Sequence, residues 1–361
     1  MSQVRIAVLG AGGFIGSHLV PGLLERFDCQ IDAVDLDLQK LECHDTRVRR
    51  IEARVEDPGL VEAVTSRCQV VISLTALCNP AQYSTIPLEV IDASFTHLLP
   101  LVTSCSQRKI RLIHFSTAEV YGRRALNGEG EPTERMSEDD SCFLLGPVER
   151  ERWTYSCAKQ LLERVIWAQG RHGSLPFTII RPFNTIGARM DYLPGIDGEG
   201  TPRVLACFMN ALLRGQPLPL VNGGQQRRAF MDVSDMTEAV CRVLERPKQS
   251  NGQIFNLGNP DNDISIAELA RLLADAFATL EPGREPARYE VVSAEAVYGP
   301  GYDDTQQRIP DVNKARQLLG WKPLKTLAET LPPIVRDYAE RYGERVAAAS
   351  AARPMLRASS E

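Results

Sequence analysis

The chain has 361 residues, 43% hydrophobic and 24% charged, enough to bury one large or two closely joined cores without disulfide staples. Lys and Arg number 41 against 46 Asp and Glu, a formal net charge of -5, so no basic excess points to nucleic acid or an anionic membrane. The 9 cysteines are scattered, mostly in apolar runs, and their spacing predicts no metal site; with no signal peptide or transmembrane run, they read as reduced thiols of a cytoplasmic protein.

The first apolar run, Ile6 to Leu9, leads directly into Gly10-Ala-Gly-Gly-Phe-Ile-Gly16 and a helix from Ser17 to Arg26. A strand, a glycine loop and a helix in that order let a diphosphate approach the backbone and rest on the helix's first amides. Gly10, Gly13, Phe14, Ile15 and Gly16 are therefore candidate cofactor contacts. The second run, Ile31 to Val34, ends at Asp35, where a carboxylate accepts from both adenosine ribose hydroxyls and repels a 2′-phosphate. That favours NAD over NADP, with Lys40 and Arg47-Val-Arg-Arg50 as basic groups nearby.

Further runs at Val70 to Leu74, Arg111 to Phe115 and Phe177 to Arg181 alternate with amphipathic stretches. Such alternation predicts βαβ units and an α/β, Rossmann-type doubly wound parallel sheet, with ligands at the strand C-terminal ends. Thr75, after its run, joins the cofactor candidates. Tyr155-Ser-Cys-Ala-Lys159 places a phenol and an ammonium one helical turn apart, where the cation lowers the phenol's pKa and makes a base for an alcohol proton.

After about Gly187 a Pro/Gly-rich stretch, Leu193 to Pro202, precedes a helix from Arg203 to Arg214, and strand-like patterns return at Phe230 to Asp235 and Ile254 to Gly258. The expected organisation is an NAD-binding domain of residues 1–187 plus about 229–258. A smaller interleaved substrate lobe takes 188–228 and 259–345, and 346–361 is an Ala/Ser-rich flexible tail.

Gly10-Gly13-Gly16, Thr117 and Tyr155-x-x-x-Lys159 together resemble the extended short-chain dehydrogenase/reductases that modify nucleotide sugars. The resemblance is closest to the UDP-glucuronate decarboxylase and UDP-apiose/UDP-xylose synthase branch. It is carried by Cys78-Asn-Pro-Ala-Gln-Tyr83, His114-Phe-Ser-Thr-Ala-Glu119, Arg152-Trp-Thr-Tyr155, Arg181-Pro-Phe-Asn184, Arg189 to Asp197, Pro202 to Phe208 and Tyr298 to Pro310, spanning about residues 4 to 340.

The resemblance implies NAD-dependent oxidation at C4 of UDP-glucuronate and decarboxylation to a UDP-4-keto-pentose, with UDP-xylose and/or UDP-apiose as product. By the same likeness Tyr155 is the base, Thr117 bonds the reacting oxygen, and Lys159 also holds the nicotinamide ribose. Arg308 and Glu119 serve the carboxylate and enolate, and Cys78 and Tyr83 serve ring contraction. Asn184, Arg203, Arg228 and Tyr302 hold the UDP-sugar.

Two departures stand out. Ala118 replaces a second cysteine that apiose-forming relatives place before the glutamate. Arg54-Val55 stands where relatives place an acid and an apolar residue beside adenine. The resemblance also implies a homodimer built on helices beside Tyr155. Two other readings stay open: a nucleotide-sugar 4-epimerase or 4,6-dehydratase, which has no carboxylate for Arg308 to bind, and a non-catalytic NAD-sensing regulator.

Overall fold

A computed structural model describes residues 3–123, 126–127, 129–298 and 303–357, with side chains described as far as 349. The expected apolar runs become β1 (Val4–Leu9), β2 (Cys29–Asp35), β4 (Val70–Ser73), β5 (Arg111–Phe115) and β6 (Phe177–Pro182). With β3 (Val48–Glu52) and β11 (Gln253–Leu257) they form one parallel sheet, ordered β3-β2-β1-β4-β5-β6-β11. The inner strands read as unbroken apolar runs because both faces are covered.

On one face lie α1 (Phe14–Arg26), α7 (Val233–Glu245) and α11 (Asn313–Leu319); on the other lie α2 (Leu60–Thr65), α4 (Leu99–Arg108) and α5 (Thr154–His172). α3 (Pro87–Ser94) packs on α5, and the short α8 (Pro247–Ser250) precedes β11. The strand order reverses between β1 and β4, and the loops there diverge to leave a crevice at the strand C-terminal ends.

β3 shows no apolar run in the sequence because it is the outer strand and half of it faces water. Its arginines clip the edge: Arg49 pairs with Asp32 at 2.6 Å, and Arg50 donates to the Leu41 carbonyl at 2.9 Å. Arg47, just before it, pairs with Asp45 at 2.7 Å. None of the three lines the ligand cleft, which leaves Lys40 as the basic group near Asp35 among those weighed for a 2′-phosphate.

The second lobe is built on α6 (Val204–Arg214), α9 (Ile266–Leu280) and α12 (Leu327–Arg357), whose apolar faces meet through Leu205, Phe208, Leu273 and Leu331. β7 (Thr185–Ile186) pairs with β10 (Met231–Asp232), and β8 (Leu218–Val221) with β13 (Tyr289–Val292); α10 (Ala294–Tyr298) follows β13. β9 (Arg227–Ala229) lies between β12 (Asp263–Ser265) and β14 (Gln307–Arg308), and sets Arg228 opposite Arg308.

Two stretches differ from the sequence-based division. Val312, Ala315, Leu319 and Trp321 pack under α1 and α7 on the nucleotide side, and Trp321 Nε1 donates to the Asp235 carbonyl at 3.0 Å. The expected tail is helical through Arg357, and Val346 is buried against the lobe, because Tyr338, Tyr342 and Val346 continue one apolar stripe at helical spacing.

Candidate active site

A cleft of about 780 Å³ runs across the sheet's C-terminal edge between the two lobes. Every predicted site residue lines it except Tyr302, which lies outside the described residues. At one end the glycine loop is shaped for close approach. A Cβ on Gly16 would stand 2.2 Å from the Gly10 carbonyl oxygen, and one on Gly12 would stand 1.8 Å from that of Asp37. Gly12, given no role on sequence grounds, also donates its amide to Asp35 Oδ2 at 2.9 Å, while the Leu36 amide reaches Oδ1 at 2.7 Å. These bonds aim the Asp35 carboxylate into the cleft rim. The cradle and the aimed carboxylate fit a dinucleotide's diphosphate and ribose.

At the centre, Tyr155 and Lys159 lie on the buried face of α5. The Tyr155 ring stacks on that of Tyr83, with centroids 4.8 Å apart and planes at 13°. Thr117 hydrogen-bonds the Tyr155 phenol and also accepts the Glu119 amide at 3.1 Å, so one hydroxyl ties the base to the turn Ala118–Tyr121.

The expectation that Lys159 depresses the Tyr155 phenol is corrected here. Burial pushes Tyr155 well above its ordinary value, the neighbouring Cys78 and Glu119 push the same way, and the Thr117 bond works against them. The shared helix face is present, but the ammonium donates to the Phe115 carbonyl at 2.8 Å. Burial also lowers Lys159 itself to about 8. Tyr83 is likewise pushed well above its ordinary value, first by burial, so both rings carry their protons at neutral pH.

Beside the tyrosines is a buried ionic cluster. Arg152 grips Glu119 with two bonds, Nη1 to Oε2 at 2.5 Å and Nη2 to Oε1 at 2.9 Å. Arg308 Nη1 donates to Glu119 Oε1 and Nη2 to Asp304 Oδ1, both at 3.3 Å, and Arg228 Nη2 donates to Asp304 Oδ2 at 2.6 Å. Three guanidinium groups thus meet the carboxylates of Glu119 and Asp304 on the cleft wall. Arg308 Nε is buried with no hydrogen-bond partner among the described residues. Burial alone would raise the Glu119 carboxyl, but Arg152 and Arg308 outweigh it and hold the group at about 2.

Neither Arg308 nor Glu119 is therefore a surface group. Arg308 does pair with Asp304, but in the interior, while Asp303 goes to Arg123 at 3.2 Å. The sequence by itself gives Arg152 no role. Its signal was available, since three residues before Tyr155 on a helical turn puts it on the same side as the base.

Toward the second lobe, Asn184 and Arg203 line the cleft. Arg203 leads into α6; its Nε donates to Asp191 Oδ2 at 3.1 Å, and its guanidinium stands 5.9 Å from the centre of the Phe14 ring. Arg228 lies in the ionic cluster, whereas Arg227 turns away to Asp263 at 2.8 Å. Cys78 is exposed and lines the cleft, and all nine cysteines are free. Among the described residues no group of three or more metal-ligating side chains is present, and no helix is long and apolar enough to cross a membrane.

Residues 6–258 match the description "NAD dependent epimerase/dehydratase family". The chain belongs to that family. The cofactor is accordingly NAD, in keeping with the glycine cradle and Asp35. Over 96% of its length the chain is 41% identical to a UDP-D-apiose/UDP-D-xylose synthase of Oryza sativa subsp. japonica, covering 92% of that enzyme. It is 40% identical to UDP-D-apiose/UDP-D-xylose synthase 1 of Arabidopsis thaliana, covering 96% of this chain and 94% of the relative. Among solved structures, the PbgP3 protein of Burkholderia pseudomallei superposes with a TM-score of 0.82 at 33% identity, over 96% of this chain and 98% of the other.

Proposed function

We propose that the protein oxidises UDP-glucuronate at C4 and decarboxylates it, giving UDP-xylose and, to a smaller extent, UDP-apiose. The observation that carries this reading is Arg308, a guanidinium buried in the cleft wall beside the Arg152–Glu119 pair and Tyr155. The Arg308 Nη atoms reach Glu119 and Asp304 only at 3.3 Å each, so a sugar carboxylate in the cleft can recruit them for a two-point clamp. A neutral hexose, the substrate of an epimerase or dehydratase reading, has no carboxylate for Arg308 to bind.

Gly10 to Gly16, Asp35, Thr75 and Lys159 hold NAD, which when bound supplies the oxidant for C4 and the reductant for the keto-pentose. Tyr155 and Thr117 hold the 4-hydroxyl and manage its proton. For the oxidation Tyr155 must ionise, and the Thr117 hydroxyl is at hand to stabilise the phenolate. A carbonyl at C4 lies β to the C6 carboxylate, so breaking C5–C6 releases carbon dioxide and leaves an enolate spread onto O4. The guanidinium cluster binds the carboxylate, while the charged Glu119 fixes the two arginines that face it. Asn184, Arg203 and Tyr302 hold the UDP portion.

Ring contraction needs further proton carriers near C2 and C3. Cys78 and Tyr83 are in place, but Ala118 lines the cleft with a methyl group that neither gives nor takes a proton. Incubation with UDP-glucuronate and NAD, followed by separation of the nucleotide sugars, tests the whole reading, and unreacted UDP-glucuronate would refute it. Ala118→Cys is expected to raise the apiose fraction severalfold; an unchanged product ratio would count against the missing-thiol account.

The same helices point to a homodimer. Leu88 on α3 and Leu161 and Trp167 on α5 are 71%, 47% and 43% exposed, apolar groups on two packed helices that a second copy would cover with its own pair. Light scattering should give twice the chain mass of 40.0 kDa, and a single-chain mass at micromolar concentration would refute the dimer.

A further inference from the structure

The cleft beyond Asp35 carries a charged set that the sugar chemistry leaves unused. β3 ends at Glu52, and the next amide, Ala53, donates to the Asp35 carbonyl at 3.0 Å, which locks residues 53–56 beside the ribose-binding carboxylate. Ala53, Arg54, Val55 and Glu56 line the cleft there, with Leu36 and His97. Arg54 Nε donates to Glu56 Oε1 at 2.6 Å, and His97 Nδ1 stands 3.6 Å from Glu56 Oε2. The Arg54 amide donates to Asp57 Oδ2 at 2.7 Å, so the turn is pinned from its other side as well. Burial raises the Glu56 carboxyl, but the Arg54 bond and the His97 charge bring it below its ordinary range, so it is an acceptor at neutral pH.

We propose that Glu56 reads the base of the dinucleotide, its carboxylate accepting from the exocyclic amino group of adenine. The inference rests on the family's use of NAD. A dinucleotide whose diphosphate lies on the α1 amides and whose ribose meets Asp35 carries its purine over the end of the neighbouring strand, β3. An acceptor side chain on that rim can take the adenine amino group in place of water. Arg54 is a donor only, and the Asp57 carboxylate is engaged with the Arg54 amide. Glu56 has the right chemistry and is held in place from both sides. Arg54, standing where an acid was expected, orients the carboxylate that lies two residues later.

The test compares NAD with its deamino analogue, in which hypoxanthine replaces adenine, by calorimetric titration of the purified chain. Wild type should bind NAD about tenfold more tightly, the worth of one hydrogen bond to a charged acceptor. Glu56→Ala should bring the two dissociation constants together by weakening NAD alone, and Glu56→Gln, which keeps an acceptor oxygen, should retain part of the preference. Glu56 is a partly exposed turn residue, so melting temperature should be nearly unchanged in both variants. A wild-type ratio near one, or equal weakening of both ligands in Glu56→Ala, would overturn the proposal. Failure of wild type to bind either dinucleotide would overturn the cofactor assignment and the proposal with it.

Discussion

Replacing Tyr155 by phenylalanine is expected to lower kcat by about 10²- to 10⁴-fold, the range for a positioned acid–base group. The ring's packing should survive, since the stack on Tyr83 at 4.8 Å involves the ring faces and not the hydroxyl. Only the hydrogen bond with Thr117 is lost, about 0.5–1.5 kcal/mol of stability. Affinity for UDP should be unchanged, because Arg203 and Asn184 are undisturbed.

The wild-type pH profile carries a second reading of the same residue. Burial holds the phenol protonated at neutral pH, so the oxidative half-reaction should quicken as pH rises and more phenolate forms. Measured under single turnover, Tyr155→Phe should lose that rise. A variant within about tenfold of the wild-type rate would remove Tyr155 from the proton's path.

Arg308→Ala should reduce kcat/KM for UDP-glucuronate by about 10²- to 10³-fold, as expected when one preorganised donor to a developing charge is deleted. On the proposed assignment both constants should change, because Arg308 would meet the carboxylate in the bound substrate and the charge that appears as carbon dioxide leaves. Steady-state kinetics with UDP-glucuronate and with a neutral UDP-hexose separates the readings. If Arg308→Ala turns over the neutral sugar as a main activity, the decarboxylase assignment fails.

Stability of the same variant has a defined pH dependence. Glu119 titrates at about 2 in the folded chain against an ordinary 4.5. Its pairing therefore stabilises the fold fully above 4.5 and is lost as pH falls from there toward 2. Removing Arg308 raises the folded value toward the ordinary one. The gap in melting temperature between variant and wild type should be widest near neutrality and should narrow below 4.5. A gap independent of pH would mean that Arg308 does not hold Glu119 ionised.

What could be read from the sequence was what local chemistry dictates. Five buried strands announced themselves as apolar runs, and the loop Gly10 to Gly16 with Asp35 announced a nucleotide crevice, because close backbone approach tolerates no side chain there. β3 escaped because an edge strand has water on one side and writes no apolar run. The packing of Val312 to Trp321 on the nucleotide side escaped because a helix's apolar face does not say which core it meets. Arg308 and Glu119 were legible as a pair only through resemblance.

That Arg152 clasps Glu119, and that Arg228 shares Asp304 with Arg308, depends on long-range folding that no spacing encodes. The one chemical expectation that reversed, the depressed phenol, shows the limit of helical spacing. It puts two groups on one face, but it does not say where a flexible four-carbon stem will point or how strongly burial acts on its neighbour.

The opposition of Arg228 and Arg308 across β9 and β14 bears on how such enzymes can be recombined. Those two strands are supplied by distant stretches of chain, and the acid they share, Asp304, arrives with the second. A chimera that imports the 303–308 segment from a relative brings one arginine and its acid into a register set by the host's β9. The turn at 117–119 and the arginine at 152 are also inherited from the host. If the cluster binds the substrate carboxylate as proposed, its handling is not a cassette: grafting it onto a sugar epimerase scaffold requires four separated stretches to move together, and single-crossover hybrids should fold yet lose the decarboxylation step.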